Sequence, residues 1–322
     1  MRDQFGREIE YARISVTDRC NLRCRYCMPE CGVKKLPHDR ILTLEEVLRV
    51  ADMFSRLGIK KIRLTGGEPL LRRNLPLLIR ELKRLPDMEQ VVLTTNGVLL
   101  KKLIGELKAA GLDGINLSLD TLDENVFEGL TRRAALSNVL EGLRALLDGS
   151  INLKLNCVPL RGVNEGELLT LAGLAKDHSV AVRFIELMPI GCAWESGLRG
   201  IPTTELFSMF ERHFGELIPV DERSPLQGPA RYFKPKNFMG RIGFIDALEH
   251  KFCGSCNRIR LTASGFLKTC LSFESGLNVR ELLRSHVSDE ELLEKMREAI
   301  LRKPREHHFK DTTAFQMYQI GG

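Results

Sequence analysis

The chain is 322 residues long, 43% hydrophobic and 28% charged, a globular composition with room for a large core that excludes disordered and fibrous classes. Lys and Arg number 48 against 42 Asp and Glu, a net charge of +6 spread along the chain, which favours anionic ligands without requiring nucleic acid. No apolar run approaches the roughly 18 residues of a membrane span, and the opening MRDQFGREIEYARIS has no apolar signal core, so a cytoplasmic chain with no membrane partner is expected.

In chain order, runs rich in Val, Ile and Leu predict strands over residues 11–16, 61–65, 90–94, 114–119, 152–158 and 181–187. Helical stretches fit between them. Thr43 with Glu46 forms a capping box that opens an amphipathic run ending at Gly58, and Asn164 with Glu167 predicts another helix start. Strands alternating with helices imply a parallel sheet, and about six such units suffice for an incomplete α/β barrel. Barrels place their chemistry at the C-terminal ends of the strands. Here those ends read Thr17-Asp-Arg-Cys20, Thr65-Gly-Gly-Glu-Pro69, Thr94-Thr-Asn-Gly97, Ser118-Leu-Asp120 and Glu186-Leu-Met-Pro189, more polar and glycine-rich than plain turns require. From about 220 to 240 the chain turns Pro- and Gly-rich, predicting a crossover into a second layer and a boundary between residues 1–220 and a C-terminal region, 221–322. Capped helices are predicted near Asn278 and Ser288. There is neither a fixed-period repeat nor a low-complexity segment.

The nine cysteines carry the strongest chemical signal. An odd count without an export signal argues for metal or redox chemistry rather than a disulfide framework. Two groups stand out, Cys20-x3-Cys24-x2-Cys27 and Cys253-x2-Cys256-x13-Cys270, leaving Cys31, Cys157 and Cys192 as buried small apolar residues or incidental ones. Close spacing lets a short loop converge its thiolates on one inorganic centre. Three cysteines per group fit an iron–sulfur cluster with one iron open to another molecule. The zinc alternative needs a fourth ligand, for which His250 is the candidate in the second group and His38 or Cys31 in the first.

A Cys-x3-Cys-x2-Cys loop after the first strand, followed by Gly66-Gly-Glu-Pro69 after the second, resembles the radical S-adenosylmethionine (SAM) superfamily. In chemical terms an open iron can bind the amino and carboxylate groups of SAM and pass an electron to its sulfonium, while Gly66 and Gly67 permit close backbone approach to a ligand and Glu68 offers an acceptor. The stretch 13–29, the block 252–262 and the ending Gln319-Ile-Gly-Gly322 are further similar to the GTP 3′,8-cyclase family of molybdenum-cofactor biosynthesis, from end to end.

That resemblance implies an incomplete parallel (β/α)6 barrel of the radical SAM type with a C-terminal cluster-binding extension. It implies two [4Fe-4S] clusters, one on Cys20, Cys24 and Cys27 for SAM and one on Cys253, Cys256 and Cys270 facing the guanine of GTP. SAM contacts carry over to Tyr26, Gly67, Ser118 and Met188, and GTP contacts to Arg13, Arg63, Thr94, Lys154, Arg183, Arg258 and Arg260. Arginine forks suit a triphosphate, since they bind phosphate oxygens bidentately. Arg13, Arg258 and Arg260 are the expected catalytic support. The implied reaction is removal of the ribose 3′ hydrogen by a SAM-derived 5′-deoxyadenosyl radical, closure of the sugar radical onto guanine carbon 8, and quenching of the resulting aminyl-type radical by one electron and one proton, giving 3′,8-cyclo-7,8-dihydroguanosine triphosphate. Gly321 and Gly322 would thread into the site and meet Arg258 or Arg260. The implied functional partner is a downstream cyclic pyranopterin monophosphate synthase, with the chain a monomer or homodimer. Two alternatives are another radical SAM enzyme with an auxiliary cluster and a non-enzymatic zinc protein that binds nucleic acid; few aromatics and no dense basic stripe beside the cysteines tell against the second.

Overall fold

The computed structural model describes residues 1–33, 36–147, 151–220, 226–307 and 316–320. Its frame is one mixed sheet. The six predicted strands are β1 (Tyr11–Ser15), β2 (Lys61–Thr65), β3 (Gln90–Thr95), β4 (Gly114–Ser118), β5 (Asn152–Cys157) and β6 (Ala181–Ile185). The C-terminal region adds β7 (Leu217–Val220), β8 (Arg231–Pro235), β9 (Arg241–Ile245), β10 (Arg258–Leu261), β11 (Phe266–Lys268) and β12 (Gly276–Asn278). The order is β12-β11-β10-β1-β2-β3-β4-β5-β6-β9-β8-β7. From β10 through β1 to β6 and on to β9 every pairing is parallel, and the hairpin strands at each end are antiparallel. The sheet therefore curves as an incomplete α/β barrel and stays open between β12 and β7.

Period-2 alternation sorts the strand residues onto two faces. Ala12, Ile14, Ile62, Leu64, Val91, Leu93, Ile115 and Leu117 turn outward to the helices and are essentially fully buried. The opposite face carries polar residues in register: Arg13 stands beside Arg63 and Arg260, Asn116 beside Lys154, and Asn156 beside Arg183 and Ser118. Burial of a row of guanidinium groups inside the curve is what the site is built from.

Local signals explain the helix ends. Thr43 Oγ1 accepts from the Glu46 amide at 3.1 Å while Glu46 accepts from the Thr43 amide at 2.8 Å, starting Leu44–Arg56. Asn278 and Ser288 cap Val279–Arg284 and Asp289–Leu301. The helix start expected at Asn164 and Glu167 is present, as the turn Glu165–Glu167 running into the helix Leu168–Asp177, but neither side chain caps it. Asn164 instead accepts from the Leu160 amide at 2.8 Å and donates to the Asp120 carbonyl at 2.8 Å, and the Glu167 carboxylate binds the Thr121 hydroxyl and the Leu122 amide. Long-range demands of the loops outcompete local capping.

A correction concerns the Pro- and Gly-rich segment after 220. Its described part opens no second layer: β7, β8 and β9 extend the same sheet beyond β6. The helix Thr203–Phe214 is held there by Phe184, Phe207, Phe210, Phe233 and Phe244, with ring centroids 4.8 to 6.3 Å apart. Among the described residues no helix is long and apolar enough to cross a membrane.

Candidate active site

Two cavities lie inside the curve, each lined by one cysteine group. The first is formed at the C-terminal strand ends by Cys20, Cys24 and Cys27 together with Gly66, Gly67, Glu68, Asn96 and Asp120. The cysteine loop is fixed from several sides. Gly67 and Glu68 donate their amides to the Thr17 and Arg19 carbonyls at 2.9 and 2.7 Å. A Cβ on Gly67 would lie 2.3 Å from the Arg19 carbonyl oxygen, and one on Gly66 would lie 2.6 Å from that of Thr17. The glycine pair thus permits a close approach to the cysteine loop's own backbone, and both glycines also line the cavity. On the far side, Arg23 donates its amide to the Thr131 carbonyl at 2.9 Å, and Arg132 Nη1 donates to the Arg23 carbonyl at 2.9 Å.

Buried carboxylates complete this cavity. Glu68 accepts from Thr95 Oγ1, the Asn96 amide and the Leu70 amide at 2.6, 2.7 and 3.0 Å, and burial still pushes it up to about 7. Asp120 accepts from Tyr26 Oη at 2.6 Å and the Val158 amide at 2.8 Å, and burial raises it to about 6. Burial likewise pushes Cys20 up to about 11 and Cys27 to about 12. The Leu22 amide at 3.4 Å and Asn96 Nδ2 at 3.8 Å both point at the Cys20 sulfur.

The second cavity is lined by Cys253, Cys256 and Cys270 together with Arg13, Arg63, Arg183, Arg258 and Arg260. Tyr11, Phe252 and Met188 line it as well. Burial, with Arg260 and Arg63 nearby, holds Arg13 well below the usual guanidinium range, and burial beside Arg258 lowers Arg260 to about 10. Such crowding of cations away from water is costly without an anion. Arg183 is oriented by Asn156 Oδ1 at 2.9 Å and Asn116 Oδ1 at 2.5 Å. Against the penalty of burial, Arg258 and Lys303 pull Cys256 down to about 6, and Arg258 Nη2 lies 3.7 Å from its sulfur.

Of the residues singled out from the sequence, Tyr26, Gly67, Ser118, Met188 and Thr94 line the first cavity, and Arg13, Arg63, Arg183, Arg258 and Arg260 the second. Met188 lines both. Lys154 lies instead in an adjoining pocket that it shares with Lys61, Arg63 and Arg241. Gly321 and Gly322 fall outside the described residues, but the Ile320 carbonyl just before them accepts from Arg260 Nη1 at 3.1 Å. Sequence reasoning missed Asn156, which lines both cavities, and Arg7 and Lys303, which bind backbone carbonyls around the second cysteine group. Thr131 and Arg132, which anchor the first group through Arg23, were likewise not singled out. Asn156 had a usable signal in its inward parity with Lys154, whereas Arg7 and Lys303 act across long sequence separations and had none.

The donor sets fit clusters better than zinc. Tetrahedral zinc with sulfur at about 2.3 Å brings its sulfurs to roughly 3.8 Å of one another. Among the described residues, ligand atoms converge within 4.8 Å only at Asp246, Glu249 and His250, and neither cysteine group is that tight. His250 does not complete the second group, because its Nδ1 is 2.7 Å from Asp246, which Arg231 also binds at 2.5 Å. His38 and Cys31 are absent from the first cavity's lining, and Cys31 is exposed where Cys157 is buried.

The sequence profile of the Radical SAM superfamily matches residues 14–175, and that of Molybdenum Cofactor Synthesis C matches 180–309. A GTP 3′,8-cyclase of Clostridium perfringens (strain 13 / Type A) is 42% identical over 326 residues, covering 100% of both chains. One from Pelotomaculum thermopropionicum is 44% identical with the same full coverage. Human molybdenum cofactor biosynthesis protein 1 is 43% identical over 95% of this chain, which spans 48% of that protein. Among solved structures, Streptococcus suis SuiB bound to S-adenosylmethionine has a similar fold, with TM-score 0.60 at 14% identity over 85% of this chain and 64% of its own. The chain belongs to the GTP 3′,8-cyclase family of the radical SAM superfamily.

Proposed function

We propose that this chain converts GTP to 3′,8-cyclo-7,8-dihydroguanosine triphosphate in molybdenum-cofactor biosynthesis. One observation carries the reading: a cavity bearing three cysteines and a cavity bearing three cysteines with a wall of arginines meet at a common boundary of Asn156, Ile185 and Met188. Cys20, Cys24 and Cys27 hold the cluster that, when bound, supplies the electron for SAM cleavage and so the radical that takes the ribose 3′ hydrogen. Cys253, Cys256 and Cys270 hold the second cluster, within the C-terminal region from about 221.

Tyr26, Gly67, Ser118 and Met188 contact SAM in the first cavity. Arg13, Arg63, Arg183, Arg258 and Arg260 hold GTP in the second, with Lys154 reaching the phosphates from the adjoining pocket and Thr94 meeting the nucleotide from the SAM side. Thr94 Oγ1 and Arg63 Nε are buried without hydrogen-bond partners in the ligand-free protein, which suits groups waiting for a polar ligand. Fixed donors and exclusion of water orient the two substrates across the shared boundary. Arg13, Arg258 and Arg260 support the triphosphate and stabilise the charge that develops as the cyclised radical takes up an electron. A downstream cyclic pyranopterin monophosphate synthase takes the product.

The test is anaerobic incubation of iron- and sulfide-reconstituted protein with SAM, a strong reductant and GTP, followed by mass spectrometry of the nucleotides. Formation of 5′-deoxyadenosine with a GTP isomer altered at carbon 8 is expected. Deoxyadenosine with unchanged GTP would move the search to another substrate.

A further inference from the structure

Tyr11 opens β1, is 1% exposed and lines the arginine-walled cavity. Its hydroxyl is buried with no hydrogen-bond partner. Register explains the setting: Tyr11 stands between Arg258 and Lys61, one step along the same face from the row Arg260, Arg13, Arg63. Lys61 Nζ and Arg63 Cζ lie 5.4 and 5.3 Å from the centre of its ring. Arg13, Arg63 and Arg260 all sense the phenol oxygen electrostatically. The guanidinium neighbours have donors and no acceptors, and Lys61 Nζ is engaged with the Leu226 carbonyl at 2.8 Å. The Tyr11 O–H therefore faces groups that cannot receive its proton, and those groups in turn want negative charge.

We infer that Tyr11 is a further substrate-binding residue whose hydroxyl donates to a phosphate oxygen of the bound nucleoside triphosphate. The inference rests on the GTP reading above. A base or sugar acceptor would satisfy the hydroxyl but leave the surrounding cations uncompensated, whereas a phosphate oxygen serves both. Charge-assisted hydrogen bonds of this kind are stronger than neutral ones.

Tyr11→Phe removes the oxygen and keeps the ring. Dissociation constants for GTP, GDP and guanosine are measured by anaerobic equilibrium dialysis on cluster-reconstituted wild type and variant. GTP and GDP are expected to weaken roughly tenfold or more, and guanosine to change by less than about twofold. The ligand-free variant should melt at or above the wild-type temperature, because an unsatisfied buried hydroxyl is gone; a structural hydroxyl would lower it. Unchanged GTP affinity overturns the inference, as does equal weakening of guanosine, which would put the hydroxyl on the base or sugar. Wild type that binds none of the three overturns the GTP reading and this contact with it.

Discussion

Arg260 Nη1 donates to the carbonyl of Ile320 at 3.1 Å, so the C-terminal turn Met317–Ile320 is tied to the inner wall of the barrel. The same side chain is buried among Arg13, Arg258 and the second cysteine group. It is held by the tail and aimed into the nucleotide cavity at once.

Arg260→Ala therefore separates the two halves of the reaction. Cys20, Cys24, Cys27 and their supports are in the other cavity, so 5′-deoxyadenosine formation should persist in part. Cyclised nucleotide should fall by roughly two orders of magnitude, the loss seen when one preorganised charge-stabilising donor is removed. The ratio of the two products, quantified by mass spectrometry after a fixed anaerobic incubation, checks this; an unchanged ratio would remove Arg260 from the site. Arg258→Ala should behave alike.

A different arginine holds the second cysteine loop from outside. Arg7 pairs with Asp3 at 2.6 Å, the two side chains being 6% and 0% exposed, and donates to the Cys253, Arg305 and Pro304 carbonyls at 2.9, 3.0 and 2.7 Å. Arg7→Met would strand a buried carboxylate, a loss of about 3–5 kcal/mol. Asp3→Asn with Arg7→Met should recover part of that loss, because the uncompensated charge is gone. Chemical denaturation of Arg7→Met, Asp3→Asn and the double variant gives the coupling; strictly additive effects would contradict a shared ion pair.

The glycine turn makes a sharper prediction. Gly67→Ala puts a methyl against the Arg19 carbonyl at 2.3 Å, and backbone cannot yield there without moving Cys20. Overpacking of this kind costs about 1–3 kcal/mol. Iron bound per chain should fall at the first cysteine group while the second is retained, so total iron after reconstitution should drop toward half. Full iron content with a wild-type melting temperature would mean the loop can shift without consequence.

The parts of this fold legible in the sequence are those set by local pattern. Each of the six predicted strands starts where β1 to β6 start, because apolar residues recurring along one face between turn residues are a local signal. Thr43 and Glu46 cap their helix because nothing else competes for them. A helix also starts after Asn164 and Glu167, but their side chains do not cap it, since buried amides and carbonyls of distant loops claim them first. The joining of β9 and β10 to the two sides of the parallel run is a matter of topology with no local code. At the site, clustered thiols and inward arginines are conspicuous by type and spacing, whereas Tyr11 looks like any aromatic strand residue until its unpartnered oxygen is seen.

Lys61 supplies a dependence on pH that needs no cofactor. It is buried on β2, donates to the Leu226 carbonyl at 2.8 Å, and burial among Arg63, Lys154 and Arg183 lowers it to about 7 from 10.5. The folded chain thus gives up this proton near pH 7 while the unfolded chain keeps it to about 10.5. Between those limits the unfolded state binds more protons, so stability from this group rises with pH; below about 7 both states are protonated and the full penalty of burying the charge applies. The cluster-free protein should accordingly gain stability between pH 7 and 9, and Lys61→Met should flatten that rise while being the more stable of the two at pH 7. Thermal melts of both proteins across that range, in one buffer series at constant ionic strength, measure it. Parallel curves would show that Lys61 stays charged in the fold, held by an anion or by water rather than forced toward neutrality.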